Sequence, residues 1–210
     1  MKKLTHILSF MLLVLTALFT GQLAAQTQAQ SQFIEGRDYI KVAGIPEATK
    51  PVVREFFSYN CPHCYRQDGL FNATIAKLGD DVDFERTPVG AGRPSWQLSQ
   101  EAYYLAQKFR VTEQAHGNLF KRIHEGKGAF TRQEELVQFF VEQGVAKEAI
   151  DKAIASADSQ LALANFDSQA QLAGIRGVPT LLVNGKYLVT SKTHSTDELS
   201  ALLKYLSTLE

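Results

Sequence analysis

Cysteine is nearly missing from this chain: Cys61 and Cys64 are the only two among 210 residues. Two are too few to staple a miniature fold and too few for a cysteine-rich structural zinc site. A bridge between them would close a tiny loop and stabilise little, so the pair is more naturally read as reactive. Net charge is missing too, with 22 basic residues against 22 acidic. No broad field is left to gather nucleic acid or an anionic membrane surface, and function must come from a local site. Removal of Lys2 and Lys3 with an N-terminal leader leaves the chain only slightly acidic. Internal repeats and low-complexity tracts are absent. What is present, 45% hydrophobic and 10% aromatic residues, is ample for a packed core and excludes disordered and collagen-like classes.

The one long apolar run, Ile7 to Phe19, is short for a membrane span of about 20 residues and lacks a basic stop-transfer flank. It follows Met1, Lys2 and Lys3 and is succeeded by small and polar residues through Gly21, Ala24, Ala25 and Ala29, the pattern of a secretory signal peptide. Cleavage after Ala25 makes residues 1–25 the signal, although Leu23 is not the small residue such sites favour and a cut near Ala29 is the other choice. Residues 26–38, which open on the Gln-rich stretch Gln26 to Gln32, are expected to be a flexible tether.

Order is expected from Tyr39. Val52 to Ser58 is apolar and aromatic apart from Arg54 and Glu55, which suits a strand covered on both faces. Cys61-Pro62-His63-Cys64 follows, and then Phe71, Ile75 and Leu78 recur at helical spacing with Gly79 as terminator. Val82 to Thr87 reads as a second strand and Pro88 to Pro94 as a loop. From residue 95 to 174 the periodicity is helical, with Thr131 and Glu134 expected as a capping box. Strands return at Leu181 to Val183 and Tyr187 to Val189, joined by Asn184-Gly185 as a type I′ hairpin turn. Ser195 and Glu198 then open an amphipathic closing helix. The organisation is thus an α/β domain in two parts, 39–94 and 175–210, separated by an all-helical insertion, 95–174.

A cysteine at a helix start faces unpaired backbone N–H groups and the positive end of the helix dipole, both of which favour the thiolate. Cys61 has that place, Pro62 suits the first helical position, and Cys64 comes one turn later. His63, if protonated, adds positive charge beside the sulfur. A stabilised thiolate leaves easily and makes the corresponding disulfide oxidising. Zinc binding through His63, His116, His124 and His194 and a purely structural disulfide are the competing readings; the other histidines read as surface or packing positions. Glu55, an ionisable group in a buried strand, is either a proton relay or a salt-bridged residue, with Arg86 on the next strand as partner. Tyr59 and Asn60 support no inference. Val178-Pro179 precedes a strand in which proline needs a special place.

Glu55-Phe56-Phe57-Ser58 running into Cys61-Pro62-His63-Cys64-Tyr65, with Arg176-Gly177-Val178-Pro179 and Val183-Asn184-Gly185-Lys186-Tyr187, resembles the DsbA family of periplasmic thiol:disulfide oxidoreductases. The resemblance covers nearly the whole chain, and the helical stretch matches in character and length more than in letters. It implies a thioredoxin-like fold with an inserted all-helical subdomain, a nucleophilic Cys61, a resolving Cys64 and a cis Pro179, with Val178 offering its backbone to an extended client peptide. It further implies a periplasmic monomer of a Gram-negative bacterium with no cofactor beyond the Cys61–Cys64 disulfide and no metal. Its clients would be reduced exported proteins, and a membrane quinone-linked protein of DsbB type would reoxidise it. A disulfide isomerase or reductase is the alternative, and an inert binding or chaperone module a third reading. Family isomerases usually carry an added dimerisation domain and a threonine before the cis proline, where this chain has Val178.

Overall fold

The structure, a computed structural model, describes residues 33–47, 49–193 and 195–209. The expected signal peptide 1–25, the Gln-rich Gln26 to Gln32 and His194 lie outside the described residues. Within residues 33–38, the end of the expected tether, Phe33 lies against Tyr205 and the Asp38 carboxylate accepts the Ile34 N–H at 2.8 Å, while residues 34–37 are exposed. The Asp38 carbonyl also accepts the N–H groups of Thr190 and Ser191. These are long-range partners, which local composition does not reveal.

Strand β1 (Tyr39–Lys41) leads to β2 (Val52–Phe57), α1 (Pro62–Ala76) and β3 (Asp83–Pro88). Five helices follow: α2 (Pro94–Lys108), α3 (Thr112–His124), α4 (Gln133–Glu142), α5 (Lys147–Ile154) and α6 (Ala157–Leu172). The chain closes with β4 (Thr180–Val183), β5 (Tyr187–Val189) and α7 (Thr196–Ser207). The sheet order is β1-β5-β4-β2-β3. Strands β2 and β3 pair in parallel, as a helical crossover through α1 requires, and the remaining pairs are antiparallel.

Every residue of β2 is buried, which accounts for its near-continuous apolar run. Val53 packs with Leu181, Val183 and Phe71 and with Leu199, Leu202, Leu203 and Leu206 of α7. On the opposite face Phe56 meets Ile45, Leu182, Ala170 and Ala173. A third cluster fills the helical insertion and extends from Leu105, Leu119 and Phe140 to Phe57, Tyr59, Cys61 and Cys64. The cysteine pair therefore sits where the helical insertion meets the end of β2.

Local signals fared unevenly. Asn184 and Gly185 adopt φ of 50° and 66°, and the Lys186 N–H reaches the Val183 carbonyl at 3.0 Å, as a type I′ turn demands. Ser195 caps α7 by accepting the Glu198 N–H, but the Glu198 carboxylate takes the Thr193 hydroxyl and leaves the box half made. The expected Thr131/Glu134 box does not form. Arg132 is the N-cap of α4, and it is Glu135 whose carboxylate accepts the Thr131 N–H and hydroxyl, because the helix starts one residue later than the pattern implied.

Candidate active site

Cys61 is the N-cap of α1, with extended backbone (φ −89°, ψ 117°) and Pro62 as the first helical residue. The first turn carries no acidic side chain, so nothing offsets the partial positive charge of the helix start. Cys61 is 6% exposed and Cys64 fully buried; both are free thiols. In the protonated state the Cys61 S–H donates to the Val178 carbonyl, with Sγ and oxygen 3.3 Å apart.

The Cys61 thiol is lowered to about 5. The hydrogen bond donated by Cys64 is the largest influence; burial opposes it, and the backbone N–H groups of Cys64 and His63 add to it, followed by the charge of His63. Cys64 moves the other way, pushed far up by burial first and then by its bond to Cys61, with the charges of Cys61 and Glu55 adding. One sulfur is built to carry charge and the other to keep its proton. Arg66 comes within 2.9 Å of His63 Nδ1, an atom that accepts from the guanidinium when the ring is neutral and cannot do so when the ring carries its charge.

Glu55 meets Arg86 at 2.9 Å, as its neighbour on β3 should. Its carboxyl is nevertheless raised to about 7, because burial outweighs the charge and hydrogen bond of Arg86 and the charge of Asp68 adds to the cost. The residue is thus both paired and poised to titrate near neutrality. Arg86 also donates to Asn72 at 2.6 Å and lies 3.7 Å from Asp68, so α1 and β3 are tied beneath the cysteines. Arg54, the other charge in the strand, points to the opposite face and forms a two-pronged pair with Glu47 at 2.7 and 2.9 Å.

Several groups around the site carry no signature in the sequence. Buried His116 stands between the Tyr59 hydroxyl and Asp68, 2.9 Å from each. Burial works to raise Asp68, yet the hydrogen bonds from His116 and Asn72 and the charge of Arg86 prevail and leave it lowered. An ionised Asp68 can only accept, so His116 Nε2–H donates to it; burial pushes His116 down and favours the neutral ring, whose Nδ1 accepts the Tyr59 hydroxyl. His124 Nε2 is 2.8 Å from the Tyr59 carbonyl. These two histidines, read from the sequence as ordinary surface or packing positions, contact the hydroxyl and the carbonyl of Tyr59, two residues before Cys61. A helical spacing at 116, 120 and 124 was the only available signal, and it named no partner.

The Val178–Pro179 bond is cis. Strand β4 pairs with β2 up to Phe56↔Thr180, so the residues preceding Thr180 run on toward Cys61. A groove of about 470 Å³ opens beside this segment, lined by His63, Gln67, Phe71, Pro179, Thr180 and Lys192 among others. A larger cavity of about 780 Å³ lies between α3 and α4 and holds none of the predicted site residues. Among the described residues no group of three or more His, Cys, Asp or Glu side chains is placed to hold a metal ion.

The DSBA-like thioredoxin domain, as a family model, matches residues 79–207. The thiol:disulfide interchange protein DsbA of Pseudomonas syringae is 31% identical over 183 residues, covering 84% of each chain, a span too long to leave out the cysteine pair. The crystal structure of Pseudomonas aeruginosa DsbA superposes with a TM-score of 0.75 at 27% identity over 85% of this chain and 94% of that one. A Proteus mirabilis DsbA variant with a non-covalently bound peptide shares the fold, with a TM-score of 0.75 at 24% identity over 85% of this chain and 100% of that one.

Proposed function

The chain belongs to the DSBA-like thioredoxin family and is a thiol:disulfide oxidoreductase, and from that premise we propose that it works as a periplasmic oxidase, donating a Cys61–Cys64 disulfide to reduced cysteines of exported proteins. The observation that carries this reading is the opposed state of the two sulfurs, Cys61 held near 5 and Cys64 pushed up.

In the oxidised enzyme a client thiolate attacks Cys61 Sγ. The Cys61–Cys64 bond breaks, its electron pair leaves on Cys64, and Cys64 takes up a proton as its raised pKa dictates. A second client thiolate then attacks the client sulfur of the mixed disulfide and expels Cys61 as thiolate. The client loses two electrons and gains a disulfide, and the enzyme gains both electrons. Of the client's two thiol protons one stays on Cys64 and one is released. A low-pKa leaving group speeds the second step, and stabilisation of the reduced form drives the whole exchange.

In this reading Val178 and Pro179 border the bound client, whose extended backbone pairs beside Cys61. Pro62 and His63 shape the helix start, and Glu55, whose charge is felt at Cys64, handles the buried proton. A quinone-linked membrane protein restores the disulfide. Among the described residues no helix is long and apolar enough to cross a membrane.

Equilibration of the purified protein with glutathione tests the proposal. An oxidase comes to rest largely as the dithiol, with glutathione oxidised in its place. A protein that remains a disulfide against the same buffer is a reductant, one that reshuffles a scrambled client disulfide faster than it oxidises a reduced client is an isomerase, and one whose cysteines do not exchange is none of these.

A further inference from the structure

One face of α3 grips the residue that leads into the cysteine motif. His116, Phe120 and His124 recur at i, i+4 and i+8, and each takes a different part of Tyr59. His116 accepts the hydroxyl at 2.9 Å, Phe120 packs edge-on against the ring with centroids 4.9 Å apart, and His124 Nε2 meets the backbone carbonyl at 2.8 Å. The His124 ring also stacks on Tyr65 of α1, 4.8 Å away and within 7° of parallel. Tyr59 is fully buried, and the Cys61 N–H closes a tight turn onto the Ser58 carbonyl at 3.0 Å, so the segment has little freedom of its own.

Resting on the oxidase reading above, we propose that His124 and His116 are positioning residues, through which the helical insertion holds the 58–60 segment so that reduced Cys61 keeps its sulfur on the N–H groups of α1. The consequence is asymmetric between redox states. In the disulfide form the bond to Cys64 holds the Cys61 sulfur whatever the preceding segment does. In the reduced form only hydrogen bonds hold it, and they need the N-cap geometry that the grip maintains. Loosening the grip therefore weakens the reduced state more than the oxidised state, and the enzyme becomes less oxidising.

The test compares His124→Leu, which deletes the donor, with His124→Gln, whose side-chain N–H can still reach the Tyr59 carbonyl, and with Tyr59→Phe, which removes the hydroxyl and keeps the ring. Each is equilibrated with glutathione as the full mature chain, and the Cys61 thiolate is titrated by absorbance. His124→Leu is expected to shift the equilibrium toward the disulfide by roughly threefold to tenfold, the factor that one net hydrogen bond is worth, with the Cys61 titration moving up in step. His124→Gln restores both readings, and Tyr59→Phe shifts them in the same direction as His124→Leu. Loss of fold stability alone would move neither reading. If His124→Leu does not fold, Tyr59→Phe decides: a shift supports the grip and wild-type values overturn it. Wild-type values in a folded His124→Leu, or equal impairment in His124→Gln, also overturn it. Disulfide transfer by the wild type to a reduced client is measured alongside. Its absence would defeat the oxidase reading, whereas transfer with unchanged variants would defeat only the positioning role.

Discussion

The two sulfurs of the motif are three residues apart and chemically opposite, and the difference comes from which one donates. Cys64, fully buried, gives its proton to the hydrogen bond, and Cys61 receives that bond together with two backbone N–H groups. In reduced wild-type protein, absorbance at about 240 nm should follow a single thiolate titrating at about 5. Cys64→Ala deletes the strongest stabilising contact and should raise Cys61. Cys64→Ser keeps a hydroxyl donor and should raise it less. Equal titrations in the two variants would show that the backbone groups alone set the thiolate. The place of Cys61 at a helix start was legible because it depends on residues within one turn. The part played by Cys64 was not, since donation to Cys61 follows from burial by the helical insertion.

At the scale of elements, the hairpin β4–β5 carries the segment that borders the cysteines, and its turn is held by backbone contacts on both sides. The Val42 and Ile45 N–H groups reach the Lys186 and Gly185 carbonyls at 2.9 and 3.0 Å. A Cβ on Gly185 would fall 2.0 Å from the Ile45 carbonyl oxygen, and φ there is +66°. Gly185→Ala combines a backbone clash with a left-handed conformation and should cost more than about 2 kcal/mol, measured by denaturant unfolding. A loss below about 1 kcal/mol, the ordinary penalty for alanine in that conformation, would mean that the Gly44–Ile45 segment yields freely. The Asn-Gly signal predicted the turn itself. The close approach of residues 44 and 45 carried no signature, because two segments separated by some 140 positions in the chain meet only after the sheet forms.

For the whole molecule, stability and pH are linked through Glu55. Its carboxyl is raised from 4.5 to about 7, so it contributes stability that is fully present below about 4.5 and is lost as pH rises through about 7. In the disulfide form neither cysteine titrates, so the pH dependence there reports on the carboxyl apart from the thiols. Oxidised wild-type protein should lose about 3 kcal/mol from this group between pH 4.5 and 8, and Glu55→Gln, which mimics the neutral acid, should flatten that slope. Parallel pH profiles for the two proteins would place the carboxyl at its ordinary value and leave Glu55 a simple ion pair. By itself the sequence determined the strand, cysteine motif and helix order, the helical insertion and the hairpin turn, because periodicity, capping and turn chemistry act over a few residues. Only the tertiary structure decided that Glu55 is both paired and raised, that Glu135 rather than Glu134 closes the α4 terminus, and that His116 and His124 bind Tyr59. Burial and long-range hydrogen bonds depend on which surfaces meet, and no local pattern of residues encodes that meeting.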